Sequence, residues 1–202
     1  MKIIKRKQCN STQRIASNLA LKGVDDLTVI ASELQTNGIG RYGKTWESNQ
    51  GGLWMTVILR KQIPVKDLPY LALSVGIEVY RVLSKLGLET LIKYPNDILV
   101  DEDGQLKKLA GILCSSSIKG NNVVYTLVGL GLNVNNEPPS NGTSLKKLGL
   151  KLSVDETMSL MIKAIDKATI GLIKKGSRKV LENLKEIKCL ELPLEILSID
   201  SN

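Results

Sequence analysis

The sequence contains no histidine and no phenylalanine, and aromatic residues make up only 3% of its 202 residues. The absence of histidine excludes Ser-His-Asp triads, Cys-His dyads and imidazole metal sites together. The scarcity of aromatic side chains argues against a stacking platform for single-stranded nucleic acid. If the protein is an enzyme, its chemistry must depend on Lys, Arg, Asp, Asn and backbone dipoles, a set suited to phosphoryl or nucleotidyl transfer.

Cysteine is also scarce, and no long apolar run is present. Cys9, Cys114 and Cys189 are far apart and lack C-x-x-C spacing, so neither a disulfide framework nor a zinc site is indicated. No segment reaches the roughly 18 apolar residues of a membrane span, and the basic start lacks the apolar core of a signal peptide. We therefore expect a cytoplasmic protein with no membrane partner.

The sequence does contain enough apolar residues for a core, together with an excess of positive charge. With 43% hydrophobic residues, it predicts one domain over residues 1–176 and a reduced C-terminal appendage over residues 177–202. The net charge of +8 favours an anionic partner such as a nucleotide, nucleic acid or an acidic protein. Charge does not choose among these partners, and a solvated lysine-rich surface explains it equally well.

Hydrophobic periodicity predicts helices over residues 10–23, 67–87 and 153–176. Asp67 is a candidate N-cap of the second helix, and the third begins with the capping box Ser153 to Glu156. Strands are expected at residues 29–32, 53–59, 98–100, 106–113 and 123–134. Together they predict an α+β fold in which a mostly antiparallel sheet carries helices packed on one face.

Asp103-Gly104 is a strong signal for a β-hairpin turn, and Gly120-Asn121 predicts a second hairpin. If Asp103-Gly104 is the turn, Leu99 pairs with Lys108 and Asp97 with Ala110, so Asp97 and Lys108 project from the same face. They would lie about 7 to 8 Å apart diagonally, near enough to share one ligand. A one-residue slip would separate them, and a longer turn over residues 101–105 is an open alternative.

The stretch from Gln35 to Trp46, QTNGIGRYGKTW, is the clearest local motif. Its three glycines let peptide N–H groups approach a ligand, and Arg41 and Lys44 supply charged donors suited to phosphate. The spacing matches neither the G-x-x-x-x-G-K-[ST] phosphate loop nor the G-x-G-x-x-G dinucleotide fingerprint. The stretch predicts an anion-binding loop, with a flexible surface turn as the alternative.

Three further segments combine polar residues with a constrained backbone. In Lys93-Tyr-Pro-Asn-Asp97, the proline presents Asn96 and Asp97 from a rigid bend, and Lys108-Leu-Ala-Gly-Ile112 lies on the return strand of the hairpin. Gly129-Leu-Gly-Leu-Asn133 ends an apolar strand with two glycines, which suits close approach of a ligand or a bulge. A structural turn and a surface lysine are equally consistent with the first two segments taken alone.

In chain order, Ser11-Thr-Gln13, the Gln35 stretch and these three segments resemble the biotin protein ligase family. The match spans roughly residues 8 to 175. The resemblance implies a catalytic domain of the class II synthetase-like type that joins biotin to ATP with Mg²⁺, giving biotinyl-5′-adenylate and pyrophosphate. It then implies transfer of biotin to a lysine on the biotin carboxyl carrier protein domain of a biotin-dependent carboxylase. A homodimer that does not bind DNA is also expected.

By the family pattern, Lys108 would orient the biotin carboxylate and the α-phosphate with Lys93 assisting, and Arg41 would cover the acyl-adenylate. Such convergent cations and Mg²⁺ are what a carboxylate needs to attack a phosphate of like charge. Asp97 would complete the catalytic set and accept the proton of the carrier lysine. The expected metal ligands are Asn96, Asp97 and Asn133. The residues expected to bind biotin or the nucleotide are Ser11, Thr12, Gln13, Gln35, Gly38, Gly40, Arg41, Gly43, Trp46, Trp54, Asn96, Lys108, Gly111, Ile112, Gly129, Gly131, Leu132 and Asn133.

The sequence departs from the family pattern in several places. Ile39 stands where many members have a second arginine, and Tyr94 replaces the usual tryptophan. No DNA-binding helix-turn-helix precedes the first motif, and the usual C-terminal β-barrel is reduced or missing after Gly176. Two rival functions stay open: a lipoate or octanoyl ligase of the same superfamily, and a basic nucleic-acid-binding module, whose binding would depend steeply on salt.

Overall fold

A computed structural model describes residues 1–192 of the chain. Over that range, the helices are Thr12–Leu21 (α1), Leu71–Lys85 (α2) and Val154–Leu184 (α3), with short 3-10 turns at Arg41–Gly43 and Val65–Tyr70. The strands of the same range are Lys2–Cys9 (β1), Thr28–Ile39 (β2), Thr45–Ser48 (β3), Leu53–Leu59 (β4), Leu91–Lys93 (β5), Asp97–Glu102 (β6), Gln105–Lys119 (β7), Asn122–Leu132 (β8) and Cys189–Leu190 (β9). None of these helices is both long and apolar enough to cross a membrane.

All the described strands belong to one sheet, in the order β1-β2-β4-β8-β7-β6-β5-β9, and β3 pairs with β2 outside this path. Neighbouring strands are antiparallel except β1 with β2 and β5 with β9, which run parallel. The predicted α+β class with a mostly antiparallel sheet is therefore confirmed. All five predicted strands are present, whereas β1, β3, β5 and β9 were not expected.

The helices divide between the two faces of the sheet. On one face, α2 and α3 cover the main core, where Val57 and Leu130 of the sheet meet Leu83 and Met161 of the helices. On the other face, α1 uses small residues such as Ala16 to pack on a minor core with Ile30, Ile58 and Leu127. The expectation of helices on one face therefore holds for α2 and α3, while α1 lies opposite.

Two helix boundaries show how local signals and tertiary contacts compete. The capping box is present, since the Ser153 Oγ accepts from the Glu156 N–H at 3.1 Å and the Glu156 carboxylate accepts from the Ser153 N–H at 2.8 Å. The predicted cap at Asp67 is wrong, because α2 begins only at Leu71, after a 3-10 turn that contains Pro69. Asp67 is instead buried and accepts a hydrogen bond from the Ser177 N–H at 3.2 Å.

Gly176 interrupts α3 with a positive φ of 67°, where a stop was predicted, but the chain resumes its helical course. Val180, Leu181 and Leu184 then pack into the main core. The division at residue 176 stays a prediction, and residues 193–202 of the expected appendage lie outside the described part of the chain.

The β6–β7 hairpin has the predicted turn but carries a β-bulge that the sequence did not indicate. Asp103 and Gly104 form the two-residue turn, and Leu99 pairs with Lys108 as expected. The predicted pairing of Asp97 with Ala110 is wrong, because Leu109 is an extra residue and Asp97 pairs with Gly111. Leu109 and Ala110 both enter the main core, so Lys108 and Gly111 come to share the opposite face.

Candidate functional site

A cleft of about 470 Å³ lies on the sheet face that carries α1. The start of α1, the β2–β3 hairpin, the bend between β5 and β6, strand β7 and the end of β8 form its walls. Most of the residues predicted to form a site come together here, although they are spread over more than 120 positions of sequence. The predicted residues that line the cleft are Ser11, Thr12, Gln13, Gln35, Gly40, Arg41, Trp46, Asn96, Asp97, Lys108, Gly111, Ile112, Gly129, Gly131 and Asn133.

Five predicted residues lie outside the lining. Lys93 forms an ion pair with Glu191 at 2.8 Å, and this carboxylate raises the pKa of the lysine. Trp54 is buried behind the cleft, where its Nε1 donates to the Asn49 carbonyl at 2.9 Å. Leu132 belongs to the main core on the other face of the sheet, Gly38 packs tightly against the Trp46 carbonyl, and Gly43 has open space around it.

The glycine-rich stretch forms a β-hairpin flap rather than the loop that its composition suggested. Strand β2 continues to Ile39, and β3 returns from Thr45, so only residues 40–44 make the tip. The Gly40 N–H donates to the Lys44 carbonyl at 2.7 Å, and the Lys44 N–H donates to the Arg41 carbonyl at 3.1 Å. The flap therefore holds Arg41 on a defined turn at the mouth of the cleft.

A chain of polar contacts crosses the cleft from the flap to β7. The Arg41 guanidinium donates to the Asn96 Oδ1 at 2.7 Å, and the Asn96 Nδ2 donates to the Asp97 Oδ1 at 3.0 Å. The other Asp97 oxygen, Oδ2, lies 2.7 Å from the Lys108 Nζ. Asp97 and Lys108 therefore do lie near each other, as predicted, and their charged groups are in contact. Two cations and one carboxylate converge here, which suits an anionic ligand that can exchange partners with Asp97.

The backbone of Lys108 is fixed from two directions. On one side, the Lys108 N–H donates to the Asn141 carbonyl at 2.9 Å, and the Thr143 N–H donates to the Lys108 carbonyl at 2.9 Å. On the other side, Lys108 pairs with Leu99 of β6. Asn133 also approaches, since its Nδ2 lies 3.4 Å from the Lys108 carbonyl. The lysine therefore projects from a backbone with little freedom to move.

Two paired glycines make a slot that holds the indole of Trp46. Gly111 and Gly131 lie opposite each other on β7 and β8. A Cβ atom would lie 2.7 Å from the indole if added to Gly111 and 2.5 Å from it if added to Gly131, so only glycine admits the ring. The Lys108 Nζ lies 4.8 Å from the centre of the indole ring, within the range of a cation–π contact. Trp54 supports the indole edge-on, with ring centres 6.5 Å apart.

The inner end of the cleft is a polar network between α1, β2 and β4. The Thr12 N–H donates to the Gln35 Oε1 at 2.7 Å, and the Thr12 and Thr56 hydroxyls are 2.9 Å apart. The Thr56 hydroxyl also donates to the Gln13 Oε1 at 3.0 Å. The Ser11 hydroxyl is buried beside this network and has no hydrogen-bond partner among residues 1–192. Such a hydroxyl is free to bond a polar ligand atom at this end of the cleft.

Residues able to hold a divalent cation are limited. The structure shows no cluster of three or more metal-ligating His, Cys, Asp or Glu side chains within residues 1–192. Asp97 and Asn96 present oxygen atoms at the cleft, but these oxygens already accept from Lys108 and Arg41. Asn133 accepts from the Asn136 amide at 2.9 Å. This set fits a Mg²⁺ ion that takes one carboxylate from the protein and its other ligands from phosphate and water.

Sequence reasoning missed several residues that line the cleft. Tyr42 and Thr56 were not singled out, and neither were Pro139, Asn141 and Gly142 of the loop after β8. Tyr42 stands inside the glycine-rich motif, so its neighbours were a usable signal. Thr56 is the one polar residue in an otherwise apolar strand, LWMTVIL, which was a second signal. The loop gave no signal, because its role depends on folding back onto Lys108.

Comparisons with known proteins agree with this geometry. A model of the biotin/lipoate A/B protein ligase family matches residues 6–133. The bifunctional ligase/repressor BirA of Bacillus subtilis is 36% identical over 146 residues, covering 71% of this chain and 44% of that protein. The biotin–[acetyl-CoA-carboxylase] ligase of Mycobacterium tuberculosis is 32% identical over 153 residues, covering 71% and 54%. The chain thus spans about half the length of these relatives.

Among solved structures, the biotin protein ligase from Aquifex aeolicus in complex with biotin and ATP resembles this chain with a TM-score of 0.76. The two are 26% identical, and the alignment covers 93% of this chain and 78% of that one. The similarity therefore extends over nearly all of this chain.

Proposed function

Because the chain belongs to the biotin/lipoate A/B protein ligase family, we propose that it joins biotin to ATP and passes the biotinyl group to a carrier protein. The observation that carries the proposal is the row of contacts from Arg41 to Lys108, which ends directly beside the glycine slot. An anion-binding row beside the apolar wall that the Trp46 indole forms in the same cleft suits a ligand with a carboxylate at the end of an apolar chain.

In this proposal, the bicyclic ring of biotin lies at the polar inner end of the cleft. The ureido group has one carbonyl acceptor and two N–H donors, and the partnerless Ser11 hydroxyl can donate to that carbonyl. Gln35 and Thr12 hold each other at 2.7 Å and shape the place where the ring N–H groups would bind. The valeryl chain then runs along the Trp46 indole, which fills the slot of Gly111 and Gly131 and forms one wall of the path.

The first reaction places the biotin carboxylate and the α-phosphate of ATP near Lys108. A carboxylate oxygen attacks the α-phosphorus, the bond to the β-phosphate oxygen breaks, and pyrophosphate leaves. Both reactants are anions, so the ammonium of Lys108 and the guanidinium of Arg41 lower the barrier by offsetting their repulsion. Mg²⁺, held by Asp97, Asn96 and the phosphates, would supply further positive charge to the leaving group. Lys93 would assist only after it leaves Glu191.

In the second reaction, the amine of a carrier lysine attacks the acyl carbon of the mixed anhydride, an amide bond forms, and AMP leaves. The attacking amine must lose a proton, and Asp97 is the carboxylate in position to accept it once Lys108 contacts the phosphate. We further propose a biotin carboxyl carrier protein domain as the acceptor. A cytoplasmic homodimer that does not bind DNA completes the proposal.

The experiment is a pyrophosphate-release assay with purified protein, ATP and Mg²⁺, with and without biotin. The proposal requires release that depends on biotin, and release that is the same without biotin would overturn it. Replacing biotin by lipoate or octanoate separates the family's alternatives, and faster release with either would reassign the substrate. A nucleic-acid-binding module would instead show salt-dependent binding to DNA or RNA and no biotin-dependent release.

A further inference from the structure

Tyr42 at the tip of the flap combines unusual exposure with an unusual backbone. Its residue surface is 87% exposed, although aromatic residues are only 3% of the chain. Its φ of 55° and ψ of 33° are in the left-handed region, which is disfavoured for a bulky side chain. A strained residue persists only where surrounding contacts hold it, and such residues concentrate at functional sites.

The left-handed turn brings together two side chains that regular structure would keep apart. Consecutive side chains do not face each other in a helix or a strand. Here the Arg41 guanidinium carbon lies 4.8 Å from the centre of the Tyr42 ring, and the Arg41 Nη2 donates to the Tyr42 hydroxyl at 2.8 Å. The same guanidinium uses Nη1 to reach the Asn96 Oδ1 at 2.7 Å. Tyr42 and Asn96 thus hold the guanidinium from two sides.

We infer that Tyr42 is a positioning residue, which holds the Arg41 guanidinium over the mouth of the cleft. The inference rests on the proposed function in one respect, namely that the group covered by Arg41 is the acyl-adenylate. Without the tyrosine ring, the arginine keeps one anchor, the Asn96 amide, and its long side chain regains rotational freedom. The reactive intermediate would then escape more often before a carrier lysine arrives.

The test uses two variants of Tyr42 and one matched control. Tyr42→Phe keeps the ring and removes the hydroxyl, whereas Tyr42→Gly removes the whole side chain and also relieves the backbone strain. Asp103→Gly is the control, because Asp103 has a nearly equal φ of 54° at another hairpin tip, away from the cleft. The enzyme is loaded with radiolabelled adenylate, and release is followed by filtration after dilution into unlabelled ligand.

We expect Tyr42→Phe to release the adenylate about threefold faster and Tyr42→Gly about tenfold faster, from the loss of one hydrogen bond and one cation–π contact. Asp103→Gly should match the wild type. Urea unfolding of Tyr42→Gly should show no loss of stability, which separates positioning from a structural role. Because Tyr42 acts through Arg41, the double variant Arg41→Gly with Tyr42→Gly should release no faster than Arg41→Gly alone. Additive effects, or unchanged release in Tyr42→Gly, would overturn the inference.

A second measurement does not depend on the proposed function. In the ligand-free protein, the Arg41 Nη–H protons, which include the one donated to the Tyr42 hydroxyl, should exchange with water more slowly in the wild type than in Tyr42→Gly, as measured by ¹⁵N NMR. Equal exchange in both proteins would overturn the positioning role even if the enzyme is active. If the wild type releases no pyrophosphate with biotin, the proposed function fails, and the exchange result still decides the role of Tyr42.

Discussion

Replacing Gly131 by alanine tests whether the missing side chain at this position determines where the Trp46 indole lies, and therefore how tightly the ligand binds. The new Cβ would lie 2.5 Å from the indole Nε1 and Cε2 atoms. Carbon atoms in ordinary contact are about 3.5 to 4.0 Å apart, so the indole must retreat by about 1 Å. The backbone itself tolerates alanine, since Gly131 is not among the glycines with positive φ. The strain therefore falls on the indole and on the cleft that it borders.

Overpacking of this kind costs about 1 to 3 kcal/mol when the indole is held in its original place. Because the bound ligand needs the indole there, the cost falls on binding, as a roughly 5- to 150-fold weaker affinity for biotin. Isothermal titration calorimetry with biotin measures the affinity, and urea unfolding measures the stability of the same preparations. We expect little change in stability, because the flap that carries Trp46 can shift outward. Gly171→Ala is the matched control, since a Cβ there would have no neighbour within 4 Å.

A double-mutant cycle identifies the cause. Trp46→Ala weakens binding by removing the wall of the slot, but it also removes the atoms that the new methyl group meets. Adding Gly131→Ala to Trp46→Ala should therefore cost much less than adding it to the wild type. If the cost of Gly131→Ala is the same in both backgrounds, or if the single variant binds biotin normally, the steric reasoning is wrong.

Three further predictions follow from the site. Lys108→Ala should abolish biotin-dependent pyrophosphate release, because the cation nearest Asp97 is lost; release at the wild-type rate would exclude the proposed role. Arg41→Gly should retain adenylate formation but release activated biotin onto bystander amines; an unchanged adenylate retention time would show that Arg41 is not the cover. Burial raises the pKa of the Cys114 thiol to about 12, so very little of it is the reactive thiolate near pH 8. Iodoacetamide should therefore modify Cys114 in urea but not in the folded protein, as peptide mass spectrometry would detect.

The fold was predictable where local sequence determines structure. The Asp103-Gly104 turn gave the correct pairing of Leu99 with Lys108, and Ser153 with Glu156 gave the start of α3. Strand β1 was not predictable, because half of its sequence, KIIKRKQC, is charged and its parallel pairing with β2 depends on residues that come later in the chain. The predicted helix cap at Asp67 was wrong for a similar reason, since the residue that donates to Asp67, Ser177, is 110 positions away.

The site was predictable in composition but not in arrangement. Spacing alone brought Asp97 and Lys108 to one face, and the structure adds that they touch. The glycines at 129 and 131 suited either close approach of a ligand or a bulge, and the structure shows that a close neighbour is present at Gly131. Only the tertiary structure identifies it as the Trp46 indole, because that residue arrives from a different part of the sheet. Lys93 lies outside the cleft lining because Glu191, almost 100 positions later, pairs with it.

The bulge at Leu109 changes which positions of β7 face the cleft. Before the bulge, the side chains that face the cleft belong to even-numbered residues such as Lys108. After it, the positions that face the cleft are odd-numbered, such as Gly111. Substitutions change single side chains, whereas loss of Leu109 would remove the bulge itself and its local bend. Lys108 and Gly111 would keep their partners Leu99 and Asp97 and their place on the cleft face, with Ala110 alone between them in the core. The bulge therefore absorbs a one-residue change in length that a regular strand would transmit to every side chain after it.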